Sequence, residues 1–95
     1  MFVETRPFDV AEILDTPERI AAYLEEAFED GDPALIASAL GDVARARNVS
    51  SIARDTGLTR ETLYKALSGT GNPTLTTLTA VVKALGFRLS IEPVG

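Results

Sequence analysis

Two cap-and-proline pairs, Thr16-Pro17 and Asp32-Pro33, together with Gly31, Gly57 and Gly86, cut this chain into short helical runs. A Thr or Asp side chain accepts the free N–H groups of a first turn. A following proline has no N–H to leave unsatisfied, and a glycine takes the left-handed conformation that ends a helix. The spacing of apolar residues fills in the runs. Ile20, Tyr23, Leu24, Ala27 and Phe28 predict a first helix from Pro17 to about Asp30. Leu35, Ile36, Ala39, Leu40, Val43 and Ala44 predict a second from Pro33 to about Arg47. Ser50 is expected to cap a short third helix that holds Ile52, Ala53 and Thr56 and stops at Gly57. Thr59 is expected to cap a fourth, Arg60–Leu67. After a loop over 68–73, Thr74 opens a fifth helix with Leu75, Leu78, Val81, Val82 and Leu85 on its stripe and Gly86 as its stop. Phe87, Leu89 and Ile91 then alternate with Arg88, Ser90 and Glu92, which is strand periodicity.

The expected fold is therefore mainly α: a five-helix bundle containing a helix-turn-helix, with a short C-terminal β-strand. At 95 residues it is one domain (1–95), comprising an acidic N-terminal segment and helix (1–32), a helix-turn-helix core of the DNA-binding kind (33–86), and a C-terminal strand and tail (87–95).

Composition narrows the chemistry. The chain has no cysteine and no histidine, which removes thiol catalysis, thiolate-bound metals and the commonest general base. No nucleophile–base pair or phosphate-cradling glycine loop accompanies the carboxylates, so the expectation is a protein that is not an enzyme and holds no metal or cofactor. No apolar run is long enough to span a bilayer, and no basic-then-apolar leader opens the chain, so no membrane partner and a cytoplasmic location are expected. Charge is uneven. Residues 1–32 carry ten acids against Arg6 and Arg19, whereas residues 43–95 carry seven bases against Asp55, Glu61 and Glu92. Such asymmetry suits two partners of opposite charge, although a solvated surface would look the same.

Residues 50–72 carry the most specific pattern. A DNA-reading helix-turn-helix needs a small residue where its helices cross, a glycine in the turn and a branched residue that locks the second helix. Ala53, Gly57 and Leu63 stand at the required offsets, with Ile52, Leu58 and Ala66 inward. The second helix then offers Arg60, Glu61, Tyr64 and Lys65, with the hydroxyls of Thr59 and Thr62, to base edges and phosphates. Ser50 and Ser51, with the N–H groups of the third helix, and Asn72 in the following loop are candidate phosphate contacts. One such unit reads few base pairs, so a homodimer on a palindromic duplex is expected. The segment Phe87–Glu92 would pair with its copy in a second subunit or with Phe2–Thr5 of the same chain. The residues also leave open a small helical bundle in which Ala53 and Gly57 serve packing and capping, an interaction module that never meets DNA.

Several separated stretches, in order, resemble a known family. Residues 43–86 look like a Cro-type phage-repressor helix-turn-helix, through Leu67-Ser68-Gly69, Pro73-Thr74-Leu75 and Ala84-Leu85-Gly86. The wider chain is similar to the HigA-like addiction-module antidote proteins at Pro7-Phe8-Asp9, Ile20-Ala21-Ala22-Tyr23-Leu24, Asp30-Gly31-Asp32-Pro33, Ala44-Arg45-Ala46-Arg47 and Leu63-Tyr64-Lys65-Ala66-Leu67-Ser68. That resemblance implies the antitoxin of a type II toxin–antitoxin module. It would neutralise a small basic RelE/HigB-like toxin ribonuclease and repress its own operon by binding double-stranded operator DNA. The alternative is a stand-alone helix-turn-helix transcriptional regulator without a toxin partner, in which the acidic segment is only structural.

Overall fold

The computed structural model describes residues 12–94, and among these are five helices: α1 Pro17–Asp30, α2 Pro33–Arg47, α3 Val49–Thr56, α4 Arg60–Ala66 and α5 Leu75–Ala84. The punctuation works as the sequence implies. Thr16 accepts from Arg19 N at 3.1 Å and Asp32 accepts from Ala34 N at 3.0 Å, each just ahead of its proline. Gly31, Gly57 and Gly86 all have positive φ. At the end of α5, Gly86 N–H donates to Lys83 O and Phe87 N–H to Val82 O, at 2.9 and 3.0 Å, which closes the helix in a Schellman stop.

α2 is the axis of the bundle. It packs against α1, α3 and α4, while α5 packs against α3. Its inner face is Ala37, Ala39, Leu40, Val43 and Ala44, all buried, and the small residues let neighbouring helices approach closely. Around it a continuous core gathers Leu14, Ile20, Leu24 and Ala27 from the N-terminal side, Val49 and Ile52 from α3, Leu63 and Leu67 from α4 and its cap, and Val81, Val82 and Leu85 from α5. Arg47 ties two distant ends together, its Nη1 donating to Leu85 O at 3.3 Å. The positive end group of α2 thus serves a carbonyl at the end of α5 as well as the negative pole of its own helix.

Three expectations change. α3 starts at Val49, and its cap is Asn48 rather than Ser50, because Asn tolerates the positive φ of 133° required to turn directly out of α2. Leu35 and Leu75 stay exposed although both lie on predicted apolar stripes. Leu75 is the first residue of α5, and α3 is the one described helix against which α5 packs. Residues 87–94 form no strand. A strand exists only with a ladder partner, and the same-chain candidate, residues 2–5, lies outside the described residues.

Candidate nucleic-acid interface

α3 and α4 are joined by Gly57, Leu58 and Thr59, and each turn residue has a defined task. Thr56 Oγ1 donates to Ile52 O at 2.8 Å and accepts from Leu58 N at 3.2 Å, so one hydroxyl closes α3 and holds the chain leaving it. Gly57 takes φ 78° and donates to Ala53 O at 2.9 Å. Nothing lies within 4 Å of where its Cβ would stand, so the backbone conformation, and not crowding, calls for glycine. Thr59 caps α4 by accepting from Thr62 N at 3.0 Å, and its hydroxyl donates to Thr62 Oγ1 at 2.8 Å.

Leu63 is fully buried beneath α4, and Leu67 is buried at its cap. Arg60 and Tyr64 therefore form one row on the outer side, with Glu61 and Lys65 beside them, and all four are exposed. Among the described residues the ion pairs are Arg19–Asp15 and Arg45–Asp42, so none of the charged groups on this face is engaged in one. Glu61 lies in the first turn of α4, where a carboxylate is favoured by the helix dipole. Tyr64 is anchored on one side. With Arg45, Gly41, Ala44, Val49, Leu63 and Leu67 it lines a small crevice between α2 and α4.

The remaining candidates fall elsewhere. Ser50 and Ser51 open α3, but their backbone N–H groups already donate to Asn48 Oδ1 at 3.0 and 3.3 Å, which removes them as phosphate donors. The Ser50 hydroxyl is exposed, and Ser51 Oγ accepts from Arg54 Nη2 at 3.4 Å. Asn72 is exposed in the loop after α4. That loop folds back on the helix end, with Gly71 N–H donating to Ser68 O at 2.9 Å. A side chain at 71 would run into the carbonyl oxygens of Lys65 and Ala66. Asn48 lies outside the expected site residues, and its signal in the sequence is an Asn two and three positions before the serines, where an Asx side chain reaches both N–H groups. Among the described residues no three carboxylates converge to hold a metal ion. No helix there is long and apolar enough to cross a membrane.

One link runs from the acidic helix toward this site. Tyr23 Oη on α1 donates to Asp42 Oδ2 at 2.6 Å, and Asp42 Oδ1 accepts from Arg45, which lines the Tyr64 crevice. Burial, and then the hydrogen bond and charge of Asp42, push the Tyr23 phenol up to about 12, against a smaller opposing pull from Arg45. Because the folded pKa lies above the unfolded value of 10.0, this group contributes stability below pH 10 that fades as pH rises through the folded value. In a Tyr64→Phe background, where Tyr23 is the remaining tyrosine, phenolate absorbance is expected to rise with a midpoint near pH 12. Asp42→Asn should lower that midpoint while leaving it above the free value, because burial remains. A midpoint at the free value would show that the bond and the burial are both missing.

Against known proteins, residues 4–93 match a family model described as "Probable addiction module antidote protein". A protein of Haemophilus influenzae, described as uncharacterized, is 53% identical over 92 residues, covering 97% of this chain and 95% of its own length. No solved structure matches.

Proposed function

The chain belongs to the family of probable addiction module antidote proteins, and from that membership we propose that it is the antitoxin of a type II toxin–antitoxin module, of HigA-like kind, with two partners and no catalytic activity of its own. One partner is a small basic toxin ribonuclease of RelE/HigB type. The other is the double-stranded operator of its own operon, and both are met in the cytoplasm. The observation that carries the reading is the family match across nearly the whole chain.

Electrostatics supports the toxin arm. A ribonuclease must present positive surface to RNA, and carboxylates steer association with such a surface and can occupy it. Glu18, Glu25, Glu26, Glu29 and Asp30 on α1 are exposed and make no ion pair among the described residues. The face of α4 supports the DNA arm. We read α3 and α4 as a Cro-type helix-turn-helix whose second helix enters the major groove. Arg60 is assigned to a guanine edge, while Glu61, Tyr64, Lys65, Thr59 and Thr62 contact bases or backbone, and Asn72 and the hydroxyls of Ser50 and Ser51, whose N–H groups are taken by Asn48, flank them at phosphates. α1 and α4 both pack on α2 and not on each other, an arrangement that leaves room for two partners at once.

The test is titration of the chain against its own upstream DNA across a salt series, with and without the product of the adjacent gene. Sequence-selective, salt-sensitive binding that shifts when the neighbour is added is the expected result. Arg60→Ala should cost about 1–3 kcal/mol of specific binding and relax sequence preference, whereas Arg54→Ala should weaken all sequences alike and flatten the salt slope. Binding indifferent to the neighbour would leave a stand-alone regulator, and no binding to any DNA would reduce α3–α4 to a packing unit.

A further inference from the structure

The segment after α5 is firmly rooted and then, among the described residues, has no partner. Phe87 packs against the core and its N–H is fixed to Val82 O, so the chain leaves α5 in a set direction. Beyond it the backbone of 88–94 makes no hydrogen bond among the described residues. Leu89 is 43% exposed and Ile91 98%, a strand-patterned edge carrying apolar residues on one side and Arg88, Ser90 and Glu92 on the other. Unpaired edges of this kind recruit a second strand.

We propose that two copies of the chain pair through residues 87–93 as an antiparallel two-stranded ribbon whose two-fold axis passes through Ser90, setting Arg88 of each copy opposite Glu92 of the other. The occupant follows from the order of residues. An antiparallel self-pair about Ser90 also places Leu89 opposite Ile91 of the second copy and Phe87 opposite Pro93, so charges of opposite sign meet on one face and apolar residues on the other. Moving the axis to Leu89 sets Arg88 against Ser90, and moving it to Ile91 sets Arg88 against Val94. A half-step places polar residues on the apolar face. One register alone satisfies both faces. Pro93, which has no N–H, falls where the ribbon ends. An isolated two-stranded ribbon is marginal, and here its apolar face carries Phe87 from each copy, already seated on its own core.

The pairing does not depend on whether the chain binds DNA or toxin, and it is tested on the full chain alone. By sedimentation, Arg88→Glu and Glu92→Arg should each weaken dimerisation by roughly 10-fold, since each turns two attractive pairs into repulsive ones. An equimolar mixture of the two variants should recover the affinity as a heterodimer, because both cross-strand pairs are then complementary again. The chain has no cysteine, so S90C places the one thiol of each copy on the axis. There the opposed Cα atoms, about 4.5–5.5 Å apart, are within disulfide reach, and S90C should cross-link under mild oxidant. L89C, whose copies lie about 7–8 Å apart across the diagonal, should not. A monomer at all concentrations without S90C cross-linking would overturn the proposal in favour of pairing within the chain or with another protein. A dimer indifferent to both charge changes, or equal cross-linking of S90C and L89C, would overturn it too.

Discussion

Leu63→Ala is expected to lower the free energy of unfolding by about 2–5 kcal/mol, a large share of the roughly 5–15 kcal/mol that holds a domain of this kind together. Leu63 is 1% exposed, belongs to the one buried core, and lines the crevice between α2 and α4 together with Val49 and Leu67. α4 is seven residues long, far below the length at which a helix persists in water on its own, so it exists because its inner face is anchored on α2 and α3. Urea denaturation checks the prediction through the midpoint. The same variant separates folding from recognition, since Arg60→Ala on the exposed face should leave the midpoint where it is. A midpoint that moves for Arg60→Ala and not for Leu63→Ala would mean that α4 is turned the other way.

Gly41 gives the second large effect, and its sign is opposite to what helix propensity alone suggests. In an exposed helix interior, Gly→Ala stabilises by about 1 kcal/mol. At position 41 an added Cβ would drive into the carbonyl oxygen of Leu67, where α2 crosses the end of α4. That oxygen belongs to the backbone that caps α4 and cannot swing aside as a side chain would. Overpacking of this kind costs about 1–3 kcal/mol and outweighs the propensity gain, so Gly41→Ala should lower Tm, and Gly41→Val should lower it further, at the upper end of that range. A Tm that rises for Gly41→Ala would mean that α2 and α4 do not touch there.

Helix order, helix number and nearly all the boundaries were legible in the sequence, since caps, prolines and stops act within one turn and each reports on its own helix. The division of α4 into Leu63 and Leu67 inside and Arg60, Glu61, Tyr64 and Lys65 outside was legible for the same reason, a period of 3.6 residues. In sequence Ser50 looks as good a cap as Asn48, since Ser and Asn both suit that role, and the short connection between α2 and α3 decides for Asn48. The serine N–H groups offered to phosphate were lost with that choice.

Pairings across long stretches of chain were not legible. Tyr23 finds Asp42 nineteen residues away, and Arg47 finds Leu85 thirty-eight residues away. In the sequence the first is an aromatic on an apolar stripe and the second a basic group at a helix end. Gly41 reads as a weak spot in a helix until α4 is laid across it. Local capping and periodicity are written residue by residue, because their energies arise between groups a few positions apart. Which helix crosses which, which glycine is closed to a side chain and which carboxylate receives a distant phenol depend on the shared core, because buried side chains from all five described helices must fill one space together.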